Sequence, residues 1–329
     1  MLRSMFSGVA GLRNHQIKMD VLANNISNVN TYGFKSSRTV FTDMYNQTIA
    51  PASAPSAAGS VGGVNPKQIG LGVQTTAVDV IHTQGATQTT DRALDLMIDG
   101  EGFFPVMNGE DLFFTRAGNL YLDPFGYLVT ANGLYVQGVM LISDGDMPET
   151  TEESVLERVT SDERIIWGAG KDDDGQLDEL TGEDSIFPYT LNGPEAREEL
   201  FTGTMGRVVV PLAYKAITID QTGLISALDE EGNLVNVALL VTTTFINPAG
   251  LDKTGTSLYR ESSNSGMPSF AAPGMDTNGL LMPGALEMSN VDLSKEFTDM
   301  MITQRGFQAN SRIITVSDTL LEELVNLKR

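Results

Sequence analysis

The stretch that most constrains this chain is its last, Asp292 to Lys328. It contains no proline and one glycine, Gly306. Its apolar residues recur in alternating steps of three and four: Leu293, Phe297, Met300, then Gln304, then Phe307, Ser311 and Ile314. The stripe then broadens to Val316, Leu320, Leu321, Leu324 and Leu327. A period near 3.5 describes one long amphipathic helix whose stripe seeks another helix. At ~1.5 Å per residue it would run roughly 50 Å, and a narrow stripe of that length cannot bury itself. Ser289 with Asp292 reads as a capping box at its start.

The partner is expected at the other end of the chain. Leu2, Met5, Val9, Leu12, Gln16, Met19, Ala23 and Ile26 follow the same alternating step. Gly8 and Gly11 weaken that helix by ~1 kcal/mol each relative to alanine, and they let another backbone come close. Gln16 and Gln304 stand where apolar knobs are expected. They are either register-fixing polar residues or ordinary half-exposed seam positions. The first helix should close within Asn24 to Gly33, because asparagine and glycine tolerate the left-handed conformation. The candidate site is therefore the seam of these helices: Leu2, Met5, Val9, Leu12, Met19 and Ile26 on the first helix, with Leu293, Phe297, Met300, Phe307, Ile314 and Leu321 on the last.

Between the helices the texture is different. Ala50 to Gly63 is rich in alanine, serine, proline and glycine and reads as a flexible or extended loop. From Gly70 to Gln137 short strands alternate with turns. Leu94 to Ile98 and Phe103 to Val106 read as two strands joined by the tight turn Asp99-Gly100-Glu101-Gly102. Asp123-Pro124-Phe125-Gly126 joins Leu120–Leu122 to Tyr127–Val129 by recognisable turn chemistry. Strand texture returns at Val208–Pro211, Ala216–Asp220, Leu224–Ser226 and Val235–Phe245. Leu141 to Thr204 instead is crowded with acids and holds the one tryptophan, Trp167. It reads as a small domain spliced into the β-rich one.

The fold class expected is thus mixed α and β. Long N- and C-terminal helices pair as a coiled-coil-like layer beside a β-rich central domain that carries an inserted small domain. The expected domains are 1–34 with 290–329 (helical), 35–69 (extended arm), 70–142 with 205–289 (β-rich core) and 143–204 (acidic insert).

Composition excludes several chemistries. The 329 residues contain no cysteine and two histidines, and carry a net charge of −21. Disulfides, thiolate metal sites and cysteine nucleophiles are excluded. His15 and His82 are too few and too far apart for a histidine-based zinc site or triad. The charge argues against nucleic acid and anionic lipid as partners. No run of about 18 apolar residues suits membrane insertion. Leu2 to Leu12 is broken by Ser4, Ser7, Gly8 and Gly11, so no cleavable secretory signal is expected. Asp172-Asp173-Asp174-Gly175 invites a calcium reading, but aligning Gly175 to the EF-hand glycine puts Gly170 and Thr181 at ligand positions one and twelve, where both fail. Gly100 to Gly102 lack the strand and helix context of a phosphate loop. Acid pairs such as Glu152-Glu153, or Asp95 with Asp99, leave a carboxylate glycosidase as a remote alternative. No catalytic, cofactor-binding or metal residues are assigned, and the chain is not expected to be an enzyme.

The run Leu22-Ala23-Asn24-Asn25-Ile26-Ser27-Asn28-Val29-Asn30-Thr31-Tyr32-Gly33-Phe34-Lys35 resembles the N-terminal signature of the bacterial flagellar rod and hook proteins. Leu286 to Leu293 and Gln304 to Ser311 resemble that family's C-terminal signature, and Leu94 to Phe104 its β-domain. The resemblance covers nearly the whole chain outside the acidic insert. It implies a helical homopolymer in the flagellar hook or basal body, exported through the flagellar secretion channel without a cleaved signal. It also implies an arm after the first helix that touches neighbouring subunits. The implied partners are further copies of the chain, the rod, hook-cap and hook–filament junction proteins, and the export apparatus. The insert and the ending Leu324-Val325-Asn326-Leu327-Lys328 favour a hook-type member, a flexible tube carrying torque from motor to filament. Val61 to Pro66 resembles rod-type text as much, which keeps the stiff distal rod as the alternative.

Overall fold

Helix α1 runs over Leu2–Ser27 and helix α2 over Leu293–Asn326, 26 and 34 residues, or ~39 and ~51 Å long. The computed structural model describes residues 2–54, 62–109, 111–141, 205–211, 214–229, 232–275 and 277–327. The expected insert, 143–204, lies outside the described residues. The chain divides into two compact units. The first comprises Met1–Asn30, Lys35–Thr83 and Asn290–Arg329; the second comprises Thr31–Phe34 and Gln84–Ser289.

In the first unit the helices pack antiparallel. Gly8 faces Ile314, Gly11 faces Asn310 and Gly306 faces His15. The N-cap of α2 is Asp292 itself, whose side chain accepts from Ser294 N at 2.9 Å and Lys295 N at 3.3 Å. The start expected at Ser289 thus moves to a residue that satisfies two orphan amides directly. The first unit also holds two antiparallel ribbons, of which β1–β4 lies beside α1. Strand β1 (Ser37–Asp43) pairs with β4 (Val73–Val80), and β2 (Asn46–Ala50) with β3 (Lys67–Gly70). The sequence placed residues from 70 on in the β-rich core. The structure instead pairs 73–80 with 37–43, so both strands of the ribbon belong with the helices. The alternation of Val73, Thr75 and Ala77 (inward) with Gln74, Thr76 and Val78 (exposed) fits one covered face.

The second unit contains strands β5 (Thr87–Thr89), β6 (Leu96–Asp99), β7 (Phe104–Asn108), β8 (Asp111–Thr115), β9 (Leu120–Leu122), β10 (Leu128–Thr130) and β11 (Tyr135–Met140). It continues with β12 (Met205–Arg207), β13 (Lys215–Ile219), β14 (Leu224–Leu228), β15 (Leu234–Leu240), β16 (Thr242–Thr244) and β17 (Asp252–Gly255). The last are β18 (Leu258–Arg260), β19 (Ser269–Ala271), β20 (Leu280–Pro283) and β21 (Ala285–Glu287). Among the described residues the largest sheet has 11 strands, with the main path β13-β14-β15-β11-β7-β8-β18-β17; β9, β10 and β12 lie off it. Smaller pairs are β6 with β20, β5 with β21 and β16 with β19.

Two strand expectations are corrected. Leu96–Asp99 and Phe104–Asn108 do not pair with each other. The first joins β20 and the second lies between β8 and β11. Val208–Pro211 forms no strand, only an isolated bridge from Val209 to Tyr127. The hairpin at Asp123 stands as read: β9 pairs with β10, and Asp123 Oδ1 accepts from Phe125 N and Tyr127 N.

The core explains why 237–241 is a continuous apolar run. Ala238 and Leu240 join Phe104, Val106, Leu128, Val136 and Ile225 in the main cluster. Leu239 and Val241 point the other way, into a second cluster with Val139, Ala271 and Met275. A strand covered on both faces loses its polar alternation.

Candidate functional site

All the stripe residues assigned from sequence lie on the helix pair, but its most buried positions are others. On α1 the buried positions are Gly8, Gly11, Asn14, Leu22 and Asn25, whereas Met5, Leu12, Met19 and Ile26 are half-buried and Val9 is exposed. On α2 Met300, Phe307, Ile314 and Leu321 are half-buried, Leu293 and Phe297 are exposed, and the buried residues are Thr303 and Ser317. Nothing is described for the Leu2 side chain. Glycines of one helix meet larger side chains of the other: Gly8 meets Ile314 and Ile313, Gly11 meets Asn310 and Gly306 meets His15. A Cβ on Gly11 would lie 2.6 Å from Asn310 Nδ2, so the glycine there permits the approach that its low helix propensity opposes.

Many large apolar side chains of the pair nevertheless stay exposed. On α1 these include Phe6 (72% exposed), Val9 and Ile17. On α2 they include Leu293, Phe297, Met301 and Ile302, and then Val316, Leu320, Leu324 and Leu327. Continuing the register of Gly8 with Ile314 leaves the last two turns of α2, from Leu320 on, beyond the first turn of α1.

The asparagines of the two signatures anchor this pair. Asn25, 1% exposed, donates through Nδ2 to Ser37 O at 2.8 Å, and its Oδ1 accepts from Ser37 N at 3.0 Å. Its amide thus imitates a strand backbone at the start of β1. Asn25 Nδ2 also donates to Glu296 Oε2, in the first turn of α2. Asn290 repeats the device: its Oδ1 accepts from Ser36 N at 2.8 Å and its Nδ2 donates to Ile81 O at 2.8 Å. Asn14 Nδ2 donates to Val73 O, and Asn14 Oδ1 accepts from Thr75 Oγ1. Lys35, fully buried, donates through Nζ to Thr83 O at 2.8 Å. These residues were missed as site residues. The signal available was a polar amide recurring on the inner face of an amphipathic helix, at Asn14 and again at Asn25.

The second unit fixes the remaining signature residues. Gly33 adopts φ +67°, and a Cβ there would lie 2.6 Å from Ala117 N, so both the backbone and the space require glycine. Its N–H donates to Glu287 O at 2.9 Å. The Glu287 carboxylate pairs with Arg116 at 3.3 Å and accepts from Gly85 N at 2.9 Å. Arg116 also donates to Gly100 O at 2.7 Å. Burial pushes the Arg116 guanidinium below its usual value and Glu287 opposes that shift; burial pushes the Tyr259 phenol up. With side chains 4% and 1% exposed, Arg116 and Glu287 form an internal ion pair. Among the described residues no group of three or more His, Asp or Glu side chains is placed to hold a metal ion, and no helix is long and apolar enough to cross a membrane.

Known proteins are similar in sequence to this chain along its whole length. Residues 5–35 match the family described as "Flagella basal body rod protein", 97–227 the "Flagellar hook protein FlgE/F/G D1 domain", and 282–327 the "Flagellar basal body rod FlgEFG protein C-terminal". The chain is 42% identical over 330 residues to the flagellar basal-body rod protein FlgG of Bacillus subtilis, covering 100% of both chains. It is 35% identical over 443 residues to the flagellar hook protein FlgE of Borreliella burgdorferi, again covering 100% of both. The basal-body rod protein FlgG of the same Borreliella strain is 28% identical over 331 residues, with 100% of both covered. The crystal structure of the Helicobacter pylori flagellar hook protein FlgE2 superposes with a TM-score of 0.36 at 12% identity, covering 61% of this chain and 100% of that one. The chain belongs to the bacterial flagellar rod and hook protein family, whose members are structural components of the flagellum and not enzymes.

Proposed function

We propose that this chain is a hook-type subunit that polymerises helically into the flexible tube joining motor to filament. The observation that carries self-assembly is the set of large apolar side chains left exposed on the helix pair, among them Phe6, Val9, Leu293, Phe297, Met301 and Leu320. Each large apolar side chain contributes ~1.5–3 kcal/mol when fully buried, so repeated contacts between copies have an ample source of free energy. In the polymer the two helices form a coiled-coil-like inner layer, seamed by the stripe residues assigned from sequence. The ribbon β1–β4 and β2–β3 reaches a neighbouring copy, and 143–204 forms an outer inserted domain. Copies of the chain would contact rod proteins at one end of the tube, the cap and hook–filament junction proteins at the other, and the export apparatus on the way out.

The hook assignment over the rod is supported by two paralogues from one organism. Similarity to the Borreliella hook protein is 35%, against 28% to its rod protein. The rod remains a second reading because the Bacillus rod protein reaches 42%. Electron microscopy of polymers grown from the purified chain separates them. Bent, compliant tubes support the hook, straight stiff ones the rod, and a chain that stays monomeric under all assembly conditions overturns both.

A further inference from the structure

His15 sits where three elements meet. Its ring lies against the backbone of Gly306: a Cβ there would be 2.8 Å from His15 Cε1 and 2.9 Å from Nε2. Gly306 is the one glycine of α2, and no other residue could occupy that position without displacing the imidazole. On its other side His15 meets Phe41 of β1 edge to face, with ring centroids 6.1 Å apart at 74°. Its Nδ1 is buried with no hydrogen-bond partner among the described residues. A neutral imidazole can tolerate this as an acceptor left unused, but an imidazolium has two N–H donors to satisfy and a charge to place.

The surroundings offer no relief. On α1 the charge that acts on the ring is Lys18, which repels a second cation. From α2 the ring faces Gly306, with uncharged Thr303 and Asn310 one turn to either side and Arg305, another cation, next in the chain. From β1 it faces Phe41, whose partner across the ribbon is the uncharged Thr75; Asp43, two residues further on, is exposed.

We infer that His15 is a proton-sensitive wedge, holding the α1–α2–β1 junction closed when neutral and opening it when protonated. Burial, then Lys18, lowers its affinity for the proton below that of a free histidine. Above the free value, pH ~6.5, the residue is neutral in both forms and the junction has its full stability. As pH falls below that value the open form takes the proton first. The open-to-closed ratio then rises by up to about tenfold per pH unit until the closed form is protonated too. The inference concerns the isolated subunit and does not depend on the hook or rod reading.

The test uses the full chain, whose lack of cysteine allows spin labels at Arg13→Cys and Gln308→Cys. Double electron–electron resonance from pH 7.5 to 5.0 should show one short distance at pH 7.5 and a growing long-distance population below 6.5. His15→Phe, which keeps an aromatic ring, should remove that growth; His15→Gln supplies the same comparison should the larger ring distort the junction. In Lys18→Gln the His15 imidazole, followed by NMR of labelled histidine, should bind its proton at higher pH than in the parent. An open pair already at pH 7.5, an unchanged acid response in both His15 variants, or a His15 that titrates at or above the free value would each overturn the inference.

Discussion

Asn25 and Glu296 stand 271 positions apart in the chain, yet Asn25 Nδ2 donates to Glu296 Oε2 at 3.2 Å. The same amide holds both backbone polar groups of Ser37. One side chain therefore ties the C-terminal turn of the first helix to the first turn of the last helix and to the start of the ribbon.

Asn25→Ala should leave the Ser37 N–H and C=O without their partner. A buried group stripped of its hydrogen bond costs ~1–3 kcal/mol, so the helix pair should lose about 2–4 kcal/mol for the two groups. Urea unfolding followed by helix circular dichroism would measure the loss, and the β-rich unit should melt as before.

Phe297→Asp and Leu324→Asp place a charge at exposed apolar positions of α2, on side chains 49% and 50% exposed. In the free subunit these charges remain in water, so thermal melting should be unchanged. In a polymer seam each would be desolvated, at a cost of several kcal/mol repeated at every subunit. The expected outcome is a folded monomer that forms no tubes by electron microscopy. Phe307→Asp and Leu12→Asp are poorer probes, because those side chains are half-buried in the subunit itself and should lower its melting temperature as well.

Arg116 and Glu287 are 4% and 1% exposed. Arg116→Met should destabilise the β-rich unit by about 3–5 kcal/mol, since a buried carboxylate loses its counter-charge. Adding Glu287→Gln, which keeps an acceptor for Gly85 N, should recover a substantial part of that loss. A double-mutant cycle from urea melts reads the coupling; strictly additive losses would show that the pair is not coupled.

The β17–β18 hairpin turns through Thr256 and Ser257, both with positive φ, +49° and +59°. A two-residue turn of this kind favours Asn-Gly, and a β-branched residue there is strained. Thr256→Asn with Ser257→Gly should raise the stability of the β-rich unit by about 1–2 kcal/mol, visible as a higher urea midpoint.

The helices were legible because their period repeats over many turns, and the hairpin at Asp123 because Asp-Pro-x-Gly dictates its own geometry. The anchors were not legible. Asn25 reaches Ser37 and Glu296, and Asn290 reaches Ser36 and Ile81, and nothing local in the chain specifies such partners. Gly8 and Gly11 were legible as points of close approach, but their partners Ile314 and Asn310 lie at the other end of the chain, and nothing local specifies them. Strand pairing failed at Leu96–Asp99 for the same reason: its partner Leu280–Pro283 is far along the chain, and a nearby apolar run was the simpler choice. The acidic stretch 143–204, read as an inserted domain, lies outside the described residues.

The antiparallel pairing of α1 with α2 has a consequence for synthesis. The ribosome makes α1 first and its partner last. At roughly 5–20 residues per second, the 271 positions between Asn25 and Glu296 take roughly 14 to 54 s to add. During that interval α1 is a solitary helix with two glycines, which is marginal in water, while the strands made after it can already pair. Helix α1 is thus made before its partner yet is among the last elements of its unit to be locked.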